Sequence, residues 1–107
     1  MEKWVYAVHT VCQSPGREKE FHQWYDKIHI PDILKIPGFR RTTRYDIREP
    51  AEGQGKYLAL YEIETEDIDK TMALLRGAVV KLREQGRVSD VATVLARALY
   101  RQISDIN

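Results

Sequence analysis

Apolar and polar residues follow two different periodicities along the first third of the chain. Residues 3–12 are rich in Val and aromatic side chains and contain neither Pro nor Gly, which predicts a strand. Within 17–30 the large apolar residues recur at positions i, i+3, i+4 and i+7, which is the spacing of one α-helical face. These residues are Phe21, Trp24, Tyr25 and Ile28. We expect the helix to end or kink at Pro31, because proline lacks an amide hydrogen and crowds the preceding turn.

Two further strands are predicted in the middle of the chain. Residues 39–48 alternate between two sets of side chains, and residues 56–64 are rich in Tyr, Leu and Ile. A turn over 49–55 separates them, so the two strands should pair as a hairpin. Strict alternation in the first of these strands assigns one set of residues to a single face: Phe39, Thr43, Tyr45 and Ile47.

The last third of the chain predicts a second helix and a final strand. An apolar stripe with helical spacing begins after Thr65 and stops at Gly86. Residues 93–103 alternate like a strand, although their Ala and Leu content also suits a helix, and 87–91 are ambiguous. The predicted order β-α-β-β-α-β gives an α+β, ferredoxin-like fold, in which a four-stranded antiparallel sheet carries two helices on one face. We expect a single domain over 1–107.

The sheet face that points away from the helices should also be apolar. In the first strand Trp4, Tyr6 and Val8 alternate with a second set that includes Val5 and His9. An uncovered apolar sheet face marks an interaction surface, and a homodimer that packs sheet against sheet is the simplest way to cover it. We therefore expect a homodimer.

Composition excludes several classes of function. The chain has 107 residues, with 17 Lys and Arg against 16 Asp and Glu, so it lacks the basic excess typical of nucleic-acid binding. No apolar run approaches the roughly 18 residues that cross a bilayer, and the N-terminus lacks the apolar core of a signal peptide. The lone Cys12 excludes disulfide scaffolds. Nucleotide- and flavin-binding motifs are absent, so we expect a protein without a cofactor. Together with the balanced charge, the short apolar runs and the single cysteine, this predicts a cytoplasmic protein without nucleic-acid or membrane partners.

The first predicted helix carries the candidate chemistry. On an ideal helix His29 and Asp26 lie along one flank of the apolar face, three positions apart. A neutral imidazole at such a boundary can act as general acid or base near neutral pH, and a carboxylate can orient it. We predict a catalytic pair of His29 and Asp26. The alternative is a structural role, in which His29 satisfies carbonyl groups freed by Pro31 or braces Asp26.

A metal site on this helix is not expected. His22, Asp26 and His29 include suitable ligand types, but His22 and His29 are about 10.5 Å apart along the helix axis. Metal–ligand bonds of about 2 Å cannot span that separation. His22 is therefore a candidate ligand-binding residue, with a solvated helix flank as the plainer interpretation.

Several aromatic and cationic residues are candidates for binding a ligand. Tyr and Trp combine flat apolar area with one polar group, which suits an aromatic or polyketide-like compound, although a place in the core or the dimer interface is simpler for most of them. The candidates are Tyr6, Trp24, Tyr25 and Tyr45. His9 either points into the pocket or lies in the core bonded to a backbone group. Arg44 shares a predicted strand face with Arg40 and Arg48. These three side chains could hold an anion, or they could form a solvated row that protects the edge of the sheet.

The stretch from Phe21 to Phe39 has the form F-x-x-W-Y-x-x-x-H-I-P-D-x-L-x-x-P-G-F. It resembles the signature of EthD-like proteins of the dimeric α/β-barrel superfamily, and residues 57–64 are similar to the third strand of that family. The resemblance covers roughly residues 3–64; the second helix and last strand agree in pattern only. It implies a homodimeric barrel with a pocket between sheet and helices. Members of the superfamily include cofactor-free monooxygenases, muconolactone-type isomerases, polyketide cyclases and haem-binding or haem-degrading proteins.

Residues and resemblance together favour a cofactor-independent enzyme that acts on a hydrophobic aromatic or cyclic small molecule. His29 would move a proton during an isomerisation, cyclisation, lyase or cofactor-free oxygenation step. One alternative is a homodimer that binds such a compound without converting it. A further alternative is a protein that binds or degrades haem.

Overall fold

The predicted order of elements runs through the whole chain. The computed structural model describes residues 1–52 and 55–107. Its strands and helices are β1 (Glu2–Cys12), α1 (Glu18–Trp24), α2 (Ile30–Ile33), β2 (Phe39–Asp46), β3 (Tyr57–Thr65), α3 (Ile68–Glu84) and β4 (Ala92–Arg101). The turn predicted over 49–55 includes residues 53 and 54, which lie outside the described residues. No helix in the described ranges combines the length and the apolar character needed to cross a membrane.

The four strands form one antiparallel sheet in the order β2-β3-β1-β4. The Val- and aromatic-rich β1 lies inside the sheet, between β3 and β4, as its apolar character on both faces predicts. The strand predicted over 93–103 is confirmed as β4, and the helical alternative for this segment is wrong. The molecule therefore has the α+β, ferredoxin-like fold expected from the sequence.

A β-bulge near the start of β2 decides which of its side chains face the helices. The pairing register with β3 shifts between Phe39 and Arg41, so one extra residue separates them. Strict alternation, with Phe39 and Tyr45 on one face and Arg44 on the other, is therefore wrong. Phe39 and Arg44 pair with β3 residues of the helix-covered face, whereas Tyr45 pairs with Leu58 on the opposite face.

The hydrophobic core fills the space between the helices and the sheet. Alternate residues of β1 and β3 point into it, and Phe21 of α1, Ile63 of β3 and Val91 before β4 are almost completely buried. Burial of such side chains contributes about 1.5–3 kcal/mol each to stability. The opposite face of the sheet carries Val5 and Leu60 and has no helix over it.

Helical structure continues through Pro31, where an end or a kink was predicted. The amide of Ile30 donates to the carbonyl of Tyr25, five residues earlier, so residues Tyr25–His29 form one π-helical turn between α1 and α2. Such a turn contains one extra residue and is wider than an α-helical turn. The widening accommodates Pro31 in the first turn of α2, because proline cannot make the α-helical bond and would crowd the carbonyl four residues before it. The expected end at Pro31 is therefore wrong.

Candidate functional site

A cavity of about 330 Å³ lies between the helices and the sheet. Its aromatic wall comes from β1, the first helix and β3, in the form of Tyr6, Trp24, Tyr25, His29 and Tyr61. Aliphatic side chains such as Val8, Ile33 and Leu75 also line it, and so do Arg83, Val88, Ser89 and Arg97. Of the predicted ligand-binding residues, the structure thus brings Tyr6, Trp24, Tyr25 and His29 together around one space.

His29 reaches this cavity because of the π-helical turn. Its imidazole stacks on the Trp24 indole with ring centroids 4.6 Å apart and an interplanar angle of 19°. The ring of Tyr25 meets His29 edge-on at 5.3 Å. Both contacts hold the imidazole against an aromatic wall at the boundary of the cavity.

The His29 imidazole is neutral at physiological pH. Burial lowers the pKa of His29 to about 4, because the charged form loses its hydration, and the nearby Asp32 carboxylate opposes this effect only in part. A neutral imidazole can accept a proton or donate its N–H to a ligand. In the unliganded cavity, this pKa makes it a weak base.

The predicted pair of His29 and Asp26 does not form. In the described part of the chain, the hydrogen bond of the Asp26 carboxylate goes to Arg44, whose Nη1 donates to it at 3.0 Å. Asp26 was assigned to the flank of His29 on α-helical geometry, which the π-helical turn changes between the two residues. The carboxylate that acts on His29 is that of Asp32, three positions beyond it.

Asp32 fixes one wall of the cavity through Arg87. The guanidinium of Arg87 binds the buried Asp32 carboxylate through two bonds, from Nε at 2.7 Å and from Nη2 at 3.1 Å. These bonds lower the pKa of Asp32 and keep it ionised. The indole Nε1 of Trp24 also donates to the Arg87 carbonyl oxygen at 2.9 Å. Together they tie the segment after α3, which contains Val88 and Ser89, to the helix that carries His29.

Three of the residues that line the cavity are tyrosines, Tyr6, Tyr25 and Tyr61. Burial raises the pKa of Tyr25 and the pKa of Tyr61. Burial also raises the pKa of Tyr6, while the positive charge of the neighbouring Arg97 opposes that rise. All three are neutral phenols near neutral pH and can donate hydrogen bonds to a ligand.

A second recess of about 280 Å³ is lined by three further predicted ligand-binding residues, His22, Arg44 and Tyr45. Arg44 is not the solvated edge residue that simple alternation favoured, because its side chain is only 15% exposed. Its Nη2 lies 3.0 Å from His22 Nδ1, and its guanidinium carbon lies 4.6 Å from the centroid of the Tyr25 ring. Since an arginine can only donate, His22 Nδ1 accepts this bond. Arg44 therefore supports the back of Tyr25, outside the His29 cavity.

His9 lies on the sheet face that points away from the helices. It pairs with Leu58 of β3 and Ala96 of β4, so neither the pocket nor the helix-covered core contains it. Its Nδ1 atom is buried and has no hydrogen-bond partner among the described residues. Both positions considered from the sequence are therefore wrong for His9.

Four residues in or beside the cavity were not predicted from the sequence: Asp32, Arg83, Arg87 and Arg97. Asp32 had a detectable signal, since an acidic residue directly follows Pro31 in the motif. Arg87 lies in the ambiguous segment, and Arg83 and Arg97 reach the cavity from α3 and β4. Only tertiary structure brings these distant residues to His29. Among the described residues, no group of three or more His, Cys, Asp or Glu side chains could hold a metal ion.

Solved structures share this fold at low sequence identity. The cofactor-independent oxygenase SnoaB from Streptomyces nogalater is 13% identical, with a TM-score of 0.67 over 99% of this chain and 98% of that one. An ethyl tert-butyl ether D (EthD) family protein from Bacillus halodurans is 17% identical, with a TM-score of 0.58 over 96% of this chain and 100% of that one. MhuD, solved with two manganese protoporphyrin IX molecules per active site, is 16% identical, with a TM-score of 0.59 over 100% of this chain and 99% of that one.

No protein-family model matches the sequence, and a search of curated proteins finds no match. The likeness is therefore one of fold, and it extends over nearly the whole chain. The resemblance noted in the sequence is confirmed at this level. The chain has the ferredoxin-like fold of the dimeric α/β-barrel proteins, a fold that it shares with an EthD family protein.

Proposed function

We propose that this protein is a cofactor-independent enzyme that moves a proton on a hydrophobic aromatic or cyclic small molecule, with His29 as the general base. The observation that carries the proposal is the neutral imidazole of His29 on the wall of an aromatic cavity. Flat apolar walls suit a ring system, and a small number of polar groups would orient it.

Proton abstraction by His29 is consistent with its low pKa. Removing a proton from a carbon or hydroxyl of the ligand creates a ligand anion beside an imidazolium. In a site with little water these two charges attract each other strongly, so the imidazolium that is unstable in the empty cavity gains a partner. The Asp32 carboxylate also favours the charged ring. The phenols of Tyr6, Tyr25 and Tyr61 can donate hydrogen bonds to the negative charge.

Loss of deuterium from anthrone labelled at its methylene carbon tests the proton abstraction proposed for His29. The assay needs no oxygen and does not depend on what happens to the ligand anion afterwards. The protein should accelerate the loss above the buffer rate, and His29→Ala should reduce that acceleration by at least about a hundredfold. Lys27→Gln is the matched control, because Lys27 is an exposed residue of the same turn. Equal acceleration by the His29→Ala protein would contradict the proposed role of His29.

A homodimer that binds such a compound without converting it is the second candidate. It is favoured by the pKa of about 4, which makes free His29 a weak base. Saturable binding of labelled anthrone with no accelerated deuterium loss would support this alternative. A titration with haem, followed in the Soret region, tests the haem-binding alternative, and a flat titration excludes it.

We further propose that two copies pack through the sheet face that carries Val5, His9 and Leu60. This face carries apolar side chains and has no helix over it in one subunit, which is typical of an interaction surface. The exposed Tyr100 ring at the edge of this face adds apolar area.

A further inference from the structure

Two arginine side chains reach the His29 cavity without a carboxylate partner. Arg83 comes from the last turn of α3 and Arg97 from β4, so the helix layer and the sheet each contribute one guanidinium. Within the described ranges, neither forms an ion pair with Asp or Glu, whereas Arg87 is bound to Asp32. Arg97 has the phenol of Tyr6 as its neighbour.

The cavity has no compensating negative charge of its own. Its lining in the described chain contains no Asp or Glu, and Asp32, the nearest acid discussed above, is already bound by Arg87. The remaining polar groups include the hydroxyls of the three tyrosines and Ser89, which can all donate hydrogen bonds. A concave site with cations and donors and without acids attracts and holds an anion.

We propose that the ligand of this cavity is an aromatic carboxylate, with its ring system against Trp24 and His29 and its carboxylate between Arg83 and Arg97. The planar guanidinium matches a carboxylate through paired N–H groups. The inference rests on the proposed function, since it takes the His29 cavity as the ligand site, and it adds the charge that the ligand carries.

A pair of probes that differ only in charge tests the proposal by isothermal titration calorimetry. 2-Naphthoate and its uncharged analogue 2-naphthamide present the same ring system to the cavity. We expect the full-length protein to bind 2-naphthoate at least about tenfold more tightly than 2-naphthamide, a preference that narrows at high salt.

Variants of Arg83 and Arg97 test whether these two side chains cause the preference for 2-naphthoate. The double variant Arg83→Gln with Arg97→Gln should lose the preference while keeping its affinity for 2-naphthamide, and Arg97→Lys should lose part of it because the paired N–H groups are gone. Arg76→Gln is the control, since Arg76 is an exposed arginine of α3 that does not line the cavity. Both target arginines are exposed, so their replacement should leave the thermal unfolding transition unchanged.

The possible results separate this inference from the proposed function. Equal affinities of the two probes, or a preference that survives in the double variant, would overturn the anion site and leave the cavity intact as a site for neutral ring systems. Failure of both probes to bind would contradict the anion site and the proposed ligand cavity together.

Discussion

The indole of Trp24 and the imidazole of His29 stack at 4.6 Å, although five positions separate them in the chain. In an uninterrupted α-helix, residues five apart point in directions that differ by about 140°. The π-helical turn over Tyr25–His29 brings them one turn apart, because its hydrogen bond spans five residues. A single extra residue in the helix therefore creates the aromatic wall that shields His29 from water.

Protonation of His29 should destabilise the fold. The unfolded chain binds this proton with a pKa of about 6.5, and the folded protein does so with a pKa of about 4. Between these values the unfolded state binds more protons, so this contribution to the free energy of unfolding falls as pH falls. We expect His29 to account for a loss of about 2 kcal/mol between about pH 7 and about pH 5.

Urea denaturation of the wild type and His29→Gln at these two pH values measures this difference. The variant should lose less stability than the wild type over the same interval, because Gln does not titrate. Asp32 does not interfere, since its lowered pKa lies below the tested interval. Identical pH dependence in the two proteins would refute the shifted pKa of His29.

Breaking the pair of Asp32 and Arg87 should cost more than breaking an exposed ion pair. Arg87→Gln leaves the buried Asp32 carboxylate without its two hydrogen bonds. We expect the free energy of unfolding to fall by about 1–3 kcal/mol. This is less than the loss for a fully buried pair, because Arg87 is partly exposed. Arg40→Gln, which removes a surface pair with Glu64, should cost at most about 0.5 kcal/mol.

The Arg87→Gln variant should also raise the pKa of His29, because the negative charge of Asp32 is then no longer balanced by a guanidinium. A titration of the His29 ring by NMR checks this direction.

The coupling between Asp32 and Arg87 gives a separate prediction. Asp32→Asn combined with Arg87→Gln should be less destabilising than the sum of the two single changes. Strict additivity would mean that the two side chains are not coupled.

Removal of Arg44 should destabilise the protein by weakening the packing of Tyr25, which lines the cavity. Its guanidinium packs over the Tyr25 ring and binds both His22 and Asp26. We expect Arg44→Gln to lower the free energy of unfolding by about 1–3 kcal/mol, because a desolvated cation–π contact and two hydrogen bonds are lost together. Arg41→Gln, on the same strand but exposed, should change stability little. Comparable losses in both variants would argue against a special role for Arg44.

The proposed dimer can be tested by placing a charge on the uncovered sheet face. Leu60 pairs with Ala7 on this face, so Leu60→Asp would bury a carboxylate between two subunits. Sedimentation should give a dimer for the wild type at micromolar concentration and a monomer for the variant. Val80→Asp, on an exposed position of α3, should remain dimeric. A monomeric wild type would exclude the proposed interface at that concentration.

Most of the fold could be predicted from the sequence because periodicity and turn residues act locally. The two errors of side-chain direction have the same origin, since each arises from one inserted residue. The bulge after Phe39 turns Arg44 inward, and the π-helical turn before Pro31 separates Asp26 from His29. Neither insertion changes the type of the element, so the apolar pattern predicts the strand and the helix but not the direction of the residues that follow.

Most of the candidate site that the sequence predicted lies on the first helix, together with Tyr6 of β1. Trp24, Tyr25 and His29 belong to one short motif and appear together in the sequence. The charged groups opposite them, such as Arg87 and Arg97, come from the last quarter of the chain. Spacing rules describe neighbours within an element and contain no information on contacts across 55 residues, the separation of Asp32 and Arg87.

The pairing of β1 with β4 has a consequence for synthesis of the chain. Strand β1 is synthesised before its partner β4 and must wait for it, and without β4 the space beside Tyr6 remains open on one side. Contacts between distant parts of a chain form late in folding, so a nascent or C-terminally truncated chain would have no affinity for the ligand. A compound that fills the finished cavity would in turn stabilise β1 and β4 together and raise the melting temperature of the domain as a unit.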